Sequence, residues 1–100
     1  MTATLSTHVL DTATGTPAAG IAVRLESRSG EPLDSGVTDT DGRIGSLGGD
    51  LPLGEYVLRF DTRGSGFFPE VVIVFTVADD RHHHVPLLLS PFGYSTYRGS

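Results

Sequence analysis

Short runs of alternating apolar and polar residues recur along the whole sequence. The alternation is most regular in residues 5–10 and 21–26, and turn-forming Gly, Pro, Asp and Ser separate the runs. Successive side chains of a strand point to opposite faces, so such runs predict short β-strands. No ten-residue stretch has apolar residues at helical spacing. We therefore predict an all-β, antiparallel, two-sheet sandwich of about eight strands; the remaining runs are residues 33–38, 43–44, 55–61, 70–77, 82–90 and 94–98.

The alternation also predicts which side chains leave the sandwich interior. In residues 82–90 the apolar set Val85, Leu87 and Leu89 shares one face, which places His84 on the outer face. If Val9 points inward, His8 is also on an outer face. Residues 71–77 are apolar on nearly both faces, which indicates that this strand is covered by a partner subunit.

The amino-acid composition limits which catalytic groups the protein can use. The chain has 100 residues, no Cys and no Trp, and its seven Lys and Arg residues are all arginines. Thiolate, disulfide and lysine Schiff-base chemistry are thereby excluded. Four histidines, twelve carboxylates and three tyrosines remain for proton transfer.

Length and charge indicate the number of domains, the partners and the location of the protein. We expect one domain, residues 1–100, which is too small to enclose a deep active-site cavity by itself. The net charge of −5 argues against nucleic acid as a partner. No apolar run is long enough to span a membrane, and the first residues lack the pattern of a signal peptide, so a cytoplasmic protein is expected.

Two segments and one short motif carry a family resemblance. These are residues 5–11 with the Gly and Pro-Ala that follow, Asp41-Gly42-Arg43, and residues 84–100, which end in Tyr97-Arg98-Gly99-Ser100. Together they resemble the transthyretin-related family, and more narrowly its enzymatic branch, the 5-hydroxyisourate hydrolases. The terminal motif is the most specific part, since the hormone-carrier branch lacks it.

The resemblance implies a homotetramer with active sites at a dimer–dimer interface. It also implies hydrolysis of 5-hydroxyisourate to 2-oxo-4-hydroxy-4-carboxy-5-ureidoimidazoline in urate degradation, with no cofactor and no metal. The family's catalytic set falls on His8, Arg43, His84 and Ser100, and its remaining substrate-binding positions fall on Tyr97, Arg98 and Gly99.

Two departures from the family pattern are visible. The family carries a short helix after the fifth strand, but here the connection contains Gly64 and Gly66, which are poor helix formers, so the helix is expected to be lost or reduced. His83 stands where an aromatic residue is usual. Neither change touches the catalytic positions.

The residue types suit the implied reaction. Water must attack a carbonyl whose oxygen becomes anionic, and a neutral histidine can take the water proton near neutral pH. His8 and His84 are assigned to the water, without deciding which is the base. Arg43 and Arg98 present planar donors to a carbonyl-rich anion. Ser100 offers its hydroxyl or its terminal carboxylate.

Other interpretations compete with this one. His82 and His84 share a face but make only two metal ligands, so His82 and His83 are expected to be solvated or at an interface. Residues 39–42 are expected to form a tight turn, and Arg24 and Arg59 to be solvated. A carrier for a small apolar ligand and a structural β-sandwich module are the alternative functions. A carrier predicts a mostly apolar channel lining.

Overall fold

The computed structural model describes all residues, Met1–Ser100, and contains strands and turns but no helix, hence none that could cross a membrane. The predicted all-β class is confirmed. Eight strands match the predicted runs, and three two-residue strands, β1, β3 and β7, are additional. The strands are β1 Thr2–Ala3, β2 Leu5–Asp11, β3 Thr16–Pro17, β4 Ala22–Ser27, β5 Pro32–Val37, β6 Arg43–Ile44, β7 Leu51–Pro52, β8 Gly54–Asp61, β9 Glu70–Val77, β10 His83–Ser90 and β11 Gly93–Thr96.

Two main sheets form the sandwich. The first has the order β11-β10-β2-β3, with β6 also paired to β2, and the second has the order β5-β4-β8-β9. A small ribbon pairs β1 with β7. Sixteen buried hydrophobic residues from both sheets and their connections form one core, in which Phe60, Leu25 and Leu87 are fully buried. Each such side chain contributes about 1.5–3 kcal/mol by leaving water.

One strand pair departs from the expected antiparallel pattern. Strands β2 and β10 run parallel, in register from Leu5 beside His83 to Asp11 beside Leu89. A parallel pair needs a crossover connection rather than a hairpin. Here β4, β5, β8 and β9 lie between the two strands in sequence and form the second sheet.

The connection after β8 contains no helix, as its glycines predicted. Residues 62–69 form turns and bends, and Phe67 donates its backbone N–H to the carbonyl of Pro91 at 2.8 Å. Gly66 has a φ of +143°, and a Cβ there would meet the backbone of Pro91. The ring of Phe68 packs edge-on against Tyr94. These contacts hold the connection after β8 against the hairpin of β10 and β11.

The outer face of the second sheet carries an ion-pair network. The Arg24 side chain is 54% exposed, as expected, whereas the Arg59 side chain is only 34% exposed, and both pair with Glu26, whose side chain is 5% exposed. Arg59 also pairs with Glu70 at 3.0 Å. The hydrogen bond from Arg59 holds the pKa of Glu26 below its ordinary range, against the opposing effect of burial. Arg24 lies two residues before Glu26 on β4, whereas Arg59 reaches Glu26 from the neighbouring strand β8, a pairing that the local pattern does not show.

The apolar outer face of β9 is present as the sequence indicated. Val72 and Val74 are 40% and 49% exposed within the chain, while Val71 and Val77 are buried in the core. Coverage of this face by a partner subunit stays a prediction.

Replacing Glu26 tests the ionic network. The folded-state pKa of Glu26 is lowered, so its stabilising contribution is present at neutral pH and is lost as pH falls below about 4.3, the ordinary glutamate value. Glu26→Gln is expected to lower the Tm at pH 7. The difference from the unmodified protein should narrow as the pH approaches 3.

The matched control is Glu55→Gln, because Glu55 pairs with Arg28 through side chains that are more than half exposed. Such a pair contributes little. Thermal unfolding followed by circular dichroism from pH 7 to pH 3 measures both variants. A Tm loss for Glu26→Gln that is the same at every pH would contradict this account.

Candidate active site

The register of three strands brings the predicted site residues to one face. In the parallel pair, His84 lies beside Ser6 and Pro86 beside His8. On the other side of β2, the antiparallel strand β6 places Arg43 opposite His8. Intervening residues of β2 and β10 point into the core. His8 and His84 are therefore half-buried on the outer face, as the alternation predicted.

A tight turn before β6 fixes Arg43 and His8. The Asp39 carboxylate accepts the backbone N–H groups of Asp41 and Arg43, both at 2.9 Å, which confirms the predicted turn. Gly42 has a φ of +74°, and a Cβ there would collide with the carbonyl oxygen of Val9. His8 Nε2 lies 2.9 Å from the carbonyl oxygen of Asp41. Because a carbonyl only accepts, Nε2 donates the proton of this hydrogen bond.

An open hollow of about 290 Å³ gathers most of the predicted catalytic set. Arg43, His84 and Ser100 line it together, and His8 stands beside it, opposite Arg43 on the neighbouring strand. The other lining residues are Ser6, Thr7, Ile44, Gly45 and His82. The lining is polar and cationic.

His84 is the titratable group whose surroundings disfavour its charged form. Burial lowers its pKa, and the positive charge of Arg43 and the neighbouring imidazoles of His8 and His82 lower it further. A hydrogen bond involving Ser6 opposes the shift. The ring is therefore neutral at neutral pH and has a lone pair to accept a proton.

The C-terminal residues close one side of this hollow. Gly99 donates its backbone N–H to the carbonyl of His84 at 2.8 Å, forming an isolated bridge with β10. A Cβ on Gly99 would lie 2.5 Å from Cδ2 of the His84 ring. This packing sets Ser100 beside His84 and Arg43.

Arg98 and Tyr97 are not brought into the same hollow. The guanidinium of Arg98 lies 3.4 Å from His83 Nε2 and 3.8 Å from the carboxylate of Asp79. It lines an adjoining hollow of about 430 Å³ with His82 and Ser100. Tyr97, 57% exposed, lines a third hollow of about 300 Å³ that also includes His84 and the edge of β9.

His83 is not solvated, contrary to the expectation from sequence. It is 3% exposed, and its Nδ1–H donates to the carbonyl of Arg81 at 2.7 Å. The alternation itself indicates that His83 is buried, because His83 shares its face with Val85 and the other inward residues of β10. Its Nε2 is left to accept from Arg98.

The structure adds Ser6 and His82 to the site, two residues that the sequence did not assign to it. His82 is exposed, but Thr4 Oγ1 contacts its Nδ1 at 2.6 Å and Ser6 Oγ contacts its Nε2 at 2.7 Å. Ser6 Oγ also lies 2.7 Å from His84 Nδ1. The only sequence signal was the spacing of His82 and His84. No group of three or more His, Asp or Glu residues is arranged to hold a metal ion.

The largest hollow lies elsewhere, on the outer face of the second sheet. It measures about 490 Å³ and is lined by Arg24, Arg59 and Arg63, among others. Two of these arginines are paired with Glu26 and the third lies 4.0 Å from Asp61. Because carboxylates already neutralise its cations, this hollow offers little attraction to an anion.

Comparisons with known proteins agree on one family. The sequence model of the HIUase/Transthyretin family matches residues 5–99. The chain is 48% identical to the 5-hydroxyisourate hydrolase of Caulobacter vibrioides, over 96% of this chain and 97% of that protein. The solved 5-hydroxyisourate hydrolase of Klebsiella pneumoniae superposes with a TM-score of 0.89 at 42% identity, covering 98% and 100% of the two chains.

The same fold also occurs in a protein solved with a hormone. Sea bream transthyretin, solved in complex with thyroxine, superposes with a TM-score of 0.85 at 32% identity, covering 95% of this chain and 93% of that one.

Gly99→Ala tests the packing of the tail. The added methyl group collides with the His84 ring, so the Gly99–His84 hydrogen bond should break and residues 98–100 should detach. The expected readout is carboxypeptidase release of these residues at a rate at least tenfold faster, with little change in Tm. Gly93→Ala is the control, because a Cβ there meets only Ser90 Oγ at 3.7 Å. Equal release rates in the two variants would contradict the packing.

Proposed function

The chain belongs to the HIUase/Transthyretin family, and from this premise we propose that it is an enzyme that hydrolyses 5-hydroxyisourate in urate degradation. The product is 2-oxo-4-hydroxy-4-carboxy-5-ureidoimidazoline. One observation carries the proposal: a neutral His84, the cationic Arg43 and Ser100 meet in one open hollow. Relatives of similar length are named for the same activity.

The polar lining favours the enzyme over a carrier. A site for an apolar aromatic ligand needs mainly apolar walls. Here Ile44 is the one hydrophobic residue among the eight that line the hollow, and the other seven include Arg43, His82 and His84. The likeness to a thyroxine complex does not decide the matter, because one fold supports several functions.

His84 is the better candidate for the base. Ser6 occupies its Nδ1, which leaves Nε2 for a water molecule. His8 spends its Nε2–H on the carbonyl of Asp41, so it serves to hold the water or the substrate through its other nitrogen. His84 Nε2 removes a proton from water as the oxygen attacks the ring carbonyl.

Arg43 stabilises the charge that develops. The attack turns the carbonyl into a tetrahedral oxyanion, and the guanidinium donates hydrogen bonds to it and to the anionic ring. When the oxyanion collapses, the ring C–N bond breaks. The proton held by His84 then passes to the departing nitrogen, and the new carboxyl group ionises.

The tail completes the site. Ser100 donates its hydroxyl to the substrate or the water, and Gly99 lets the tail approach the His84 ring. Arg98 acts by anchoring the tail through His83 and Asp79, a role different from the substrate clamp expected from sequence. Tyr97 borders the substrate from the neighbouring hollow.

The proposal extends to assembly and location. The chain acts as one domain in a homotetramer in the cytoplasm, with sites at the dimer–dimer interface. Two features support the assembly: the hollow around His84 is open, and Val72 and Val74 expose an apolar strand face, of which Val74 lines a hollow with Tyr97. Its partner molecule is the substrate, with no nucleic acid, membrane or cofactor required.

The test measures turnover directly. Freshly made 5-hydroxyisourate, generated from urate by urate oxidase, should lose its ultraviolet absorbance faster when the protein is present. His8→Ala, His84→Ala and Arg43→Ala should each lower kcat by roughly 10²–10⁴-fold, the usual contribution of a positioned catalytic group. Arg63→Ala should leave kcat unchanged, because the Arg63 side chain is 82% exposed in the turn after β8, outside the hollow of His84. Decay at the spontaneous rate with the unmodified protein would overturn the proposal.

A further inference from the structure

A continuous row of hydrogen bonds joins His84 to the protein surface. It runs from Thr4 to His82, from His82 to Ser6 and from Ser6 to His84, with distances of 2.6, 2.7 and 2.7 Å. The parallel register that sets His84 beside Ser6 makes the row possible. Thr4 and His82 are exposed, whereas Ser6 and His84 are half-buried. The row thus runs along the wall of the hollow from the half-buried His84 ring to the exposed side chains of His82 and Thr4.

The single proton on the Ser6 hydroxyl restricts how this row can be arranged. Ser6 contacts two imidazole nitrogens but can donate to only one of them, so the other must donate to Ser6. If Ser6 donates to His84, then His84 carries its proton on Nε2 and has no lone pair for water. If Ser6 donates to His82, then His84 Nδ1–H donates to Ser6 and Nε2 is free to accept.

Both arrangements satisfy every member of the row, and only the second leaves Nε2 of His84 free to accept a proton. In the second arrangement, His82 accepts from Ser6 at Nε2 and donates its Nδ1–H to Thr4 Oγ1, which is within hydrogen-bond distance. His84 is then a neutral ring with its lone pair on Nε2. The hydroxyl of Thr4 is left to donate to solvent.

The charges around His84 give the row a second role, which is to move a positive charge from His84 to His82. Once His84 accepts a proton it becomes an imidazolium facing the guanidinium of Arg43 on β6 and the His8 ring on β2. The exposed His82 carries a positive charge at lower cost, because water solvates it. Moving the charge from His84 to His82 therefore takes it from a half-buried ring whose charged form Arg43 and His8 disfavour to an exposed ring on the wall of the same hollow.

We propose that Ser6 and His82 are positioning residues that hold His84 in the tautomer with an unprotonated Nε2 and relay the proton taken from water to the surface. This inference rests on the proposed function. In the relay, Nδ1–H of His84 passes to Ser6 as the Ser6 proton passes to His82 Nε2. His84 is left neutral with its proton on Nε2, and His82 becomes the cation. Reverse transfer returns the proton to the departing nitrogen.

Three substitutions probe the relay. Ser6→Ala removes the link, His82→Ala removes the surface end, and Ser6→Thr keeps a hydroxyl on a β-branched side chain suited to a strand. Ser6→Ala and His82→Ala should lower kcat by about 10–100-fold, less than loss of the base itself, with KM little changed. Ser6→Thr should restore most of the activity. Ser90→Ala is the matched control, since it removes a strand hydroxyl bound to Gly93 in the same sheet.

Two readouts distinguish positioning from general support of the fold. Nitrogen-15 NMR of labelled histidines reports the tautomer: His84 should be protonated on Nδ1 in the unmodified protein and shift toward Nε2 protonation in Ser6→Ala and His82→Ala. The acid limb of the kcat/KM profile should also move in these variants. The groups that face His84 are Arg43, His8, His82 and residues of the tail. Ser6→Ala and His82→Ala alter only the row of hydrogen bonds.

The outcomes separate this inference from the proposed function. If the unmodified protein does not turn over 5-hydroxyisourate, the function fails, while the His84 tautomer still tests the arrangement of the row. Suppose instead that the unmodified protein does turn over the substrate. If Ser6→Ala and His82→Ala then have the same kcat, the same pH profile and the same His84 tautomer as the unmodified protein, the relay is wrong and the proposed function stands. Folding of each variant is checked by its Tm against Ser90→Ala.

Discussion

The parallel pairing of β2 with β10 is the constraint on which the site depends. Its seven registered residue pairs set His84 beside Ser6 and Pro86 beside His8, and they close the first sheet around the core. A shift of one residue would reverse every side chain of one strand, sending His84 into the core and Val85 to the surface. The burial of Thr7, Val9, Val85 and Leu87 therefore fixes the position of both histidines.

This pairing also determines the electrostatics of the hollow. Strand β6 joins the other edge of β2 and places Arg43 opposite His8, so a permanent cation stands near two imidazoles. Burial and that cation lower the pKa of His84 and keep the ring neutral. A neutral histidine beside a fixed positive charge combines a proton acceptor with a stabiliser of developing negative charge. The tail residues then complete one wall, because Gly99 has no side chain to clash with the ring.

The local pattern predicted the strands and the faces of His8 and His84, because in an alternating strand the apolar side chains must face the core and the residues between them must face outward. The same pattern, carried one step further, would have placed His83 inside. Partners distant in sequence were not predictable in this way: the pairing of Arg59 with Glu26 depends on which strands become neighbours. The contacts of Ser6 with His82 and His84 likewise join residues 76 and 78 positions apart. Arg98 was assigned by motif, whereas Asp79 and His83 determine where its guanidinium lies.

If the reaction occurs in the hollow formed by Arg43, His84 and Ser100, a substrate-like ligand must bind there. A crystal structure with a slowly hydrolysed, anionic, carbonyl-rich heterocycle measures this. A ring carbonyl oxygen is expected within hydrogen-bond distance of the Arg43 guanidinium, with a ligand atom or bridging water on His84 Nε2. Binding of the ligand instead in the hollow of Arg24, Arg59 and Arg63 on the second sheet, with the His84 site unchanged, would contradict this expectation.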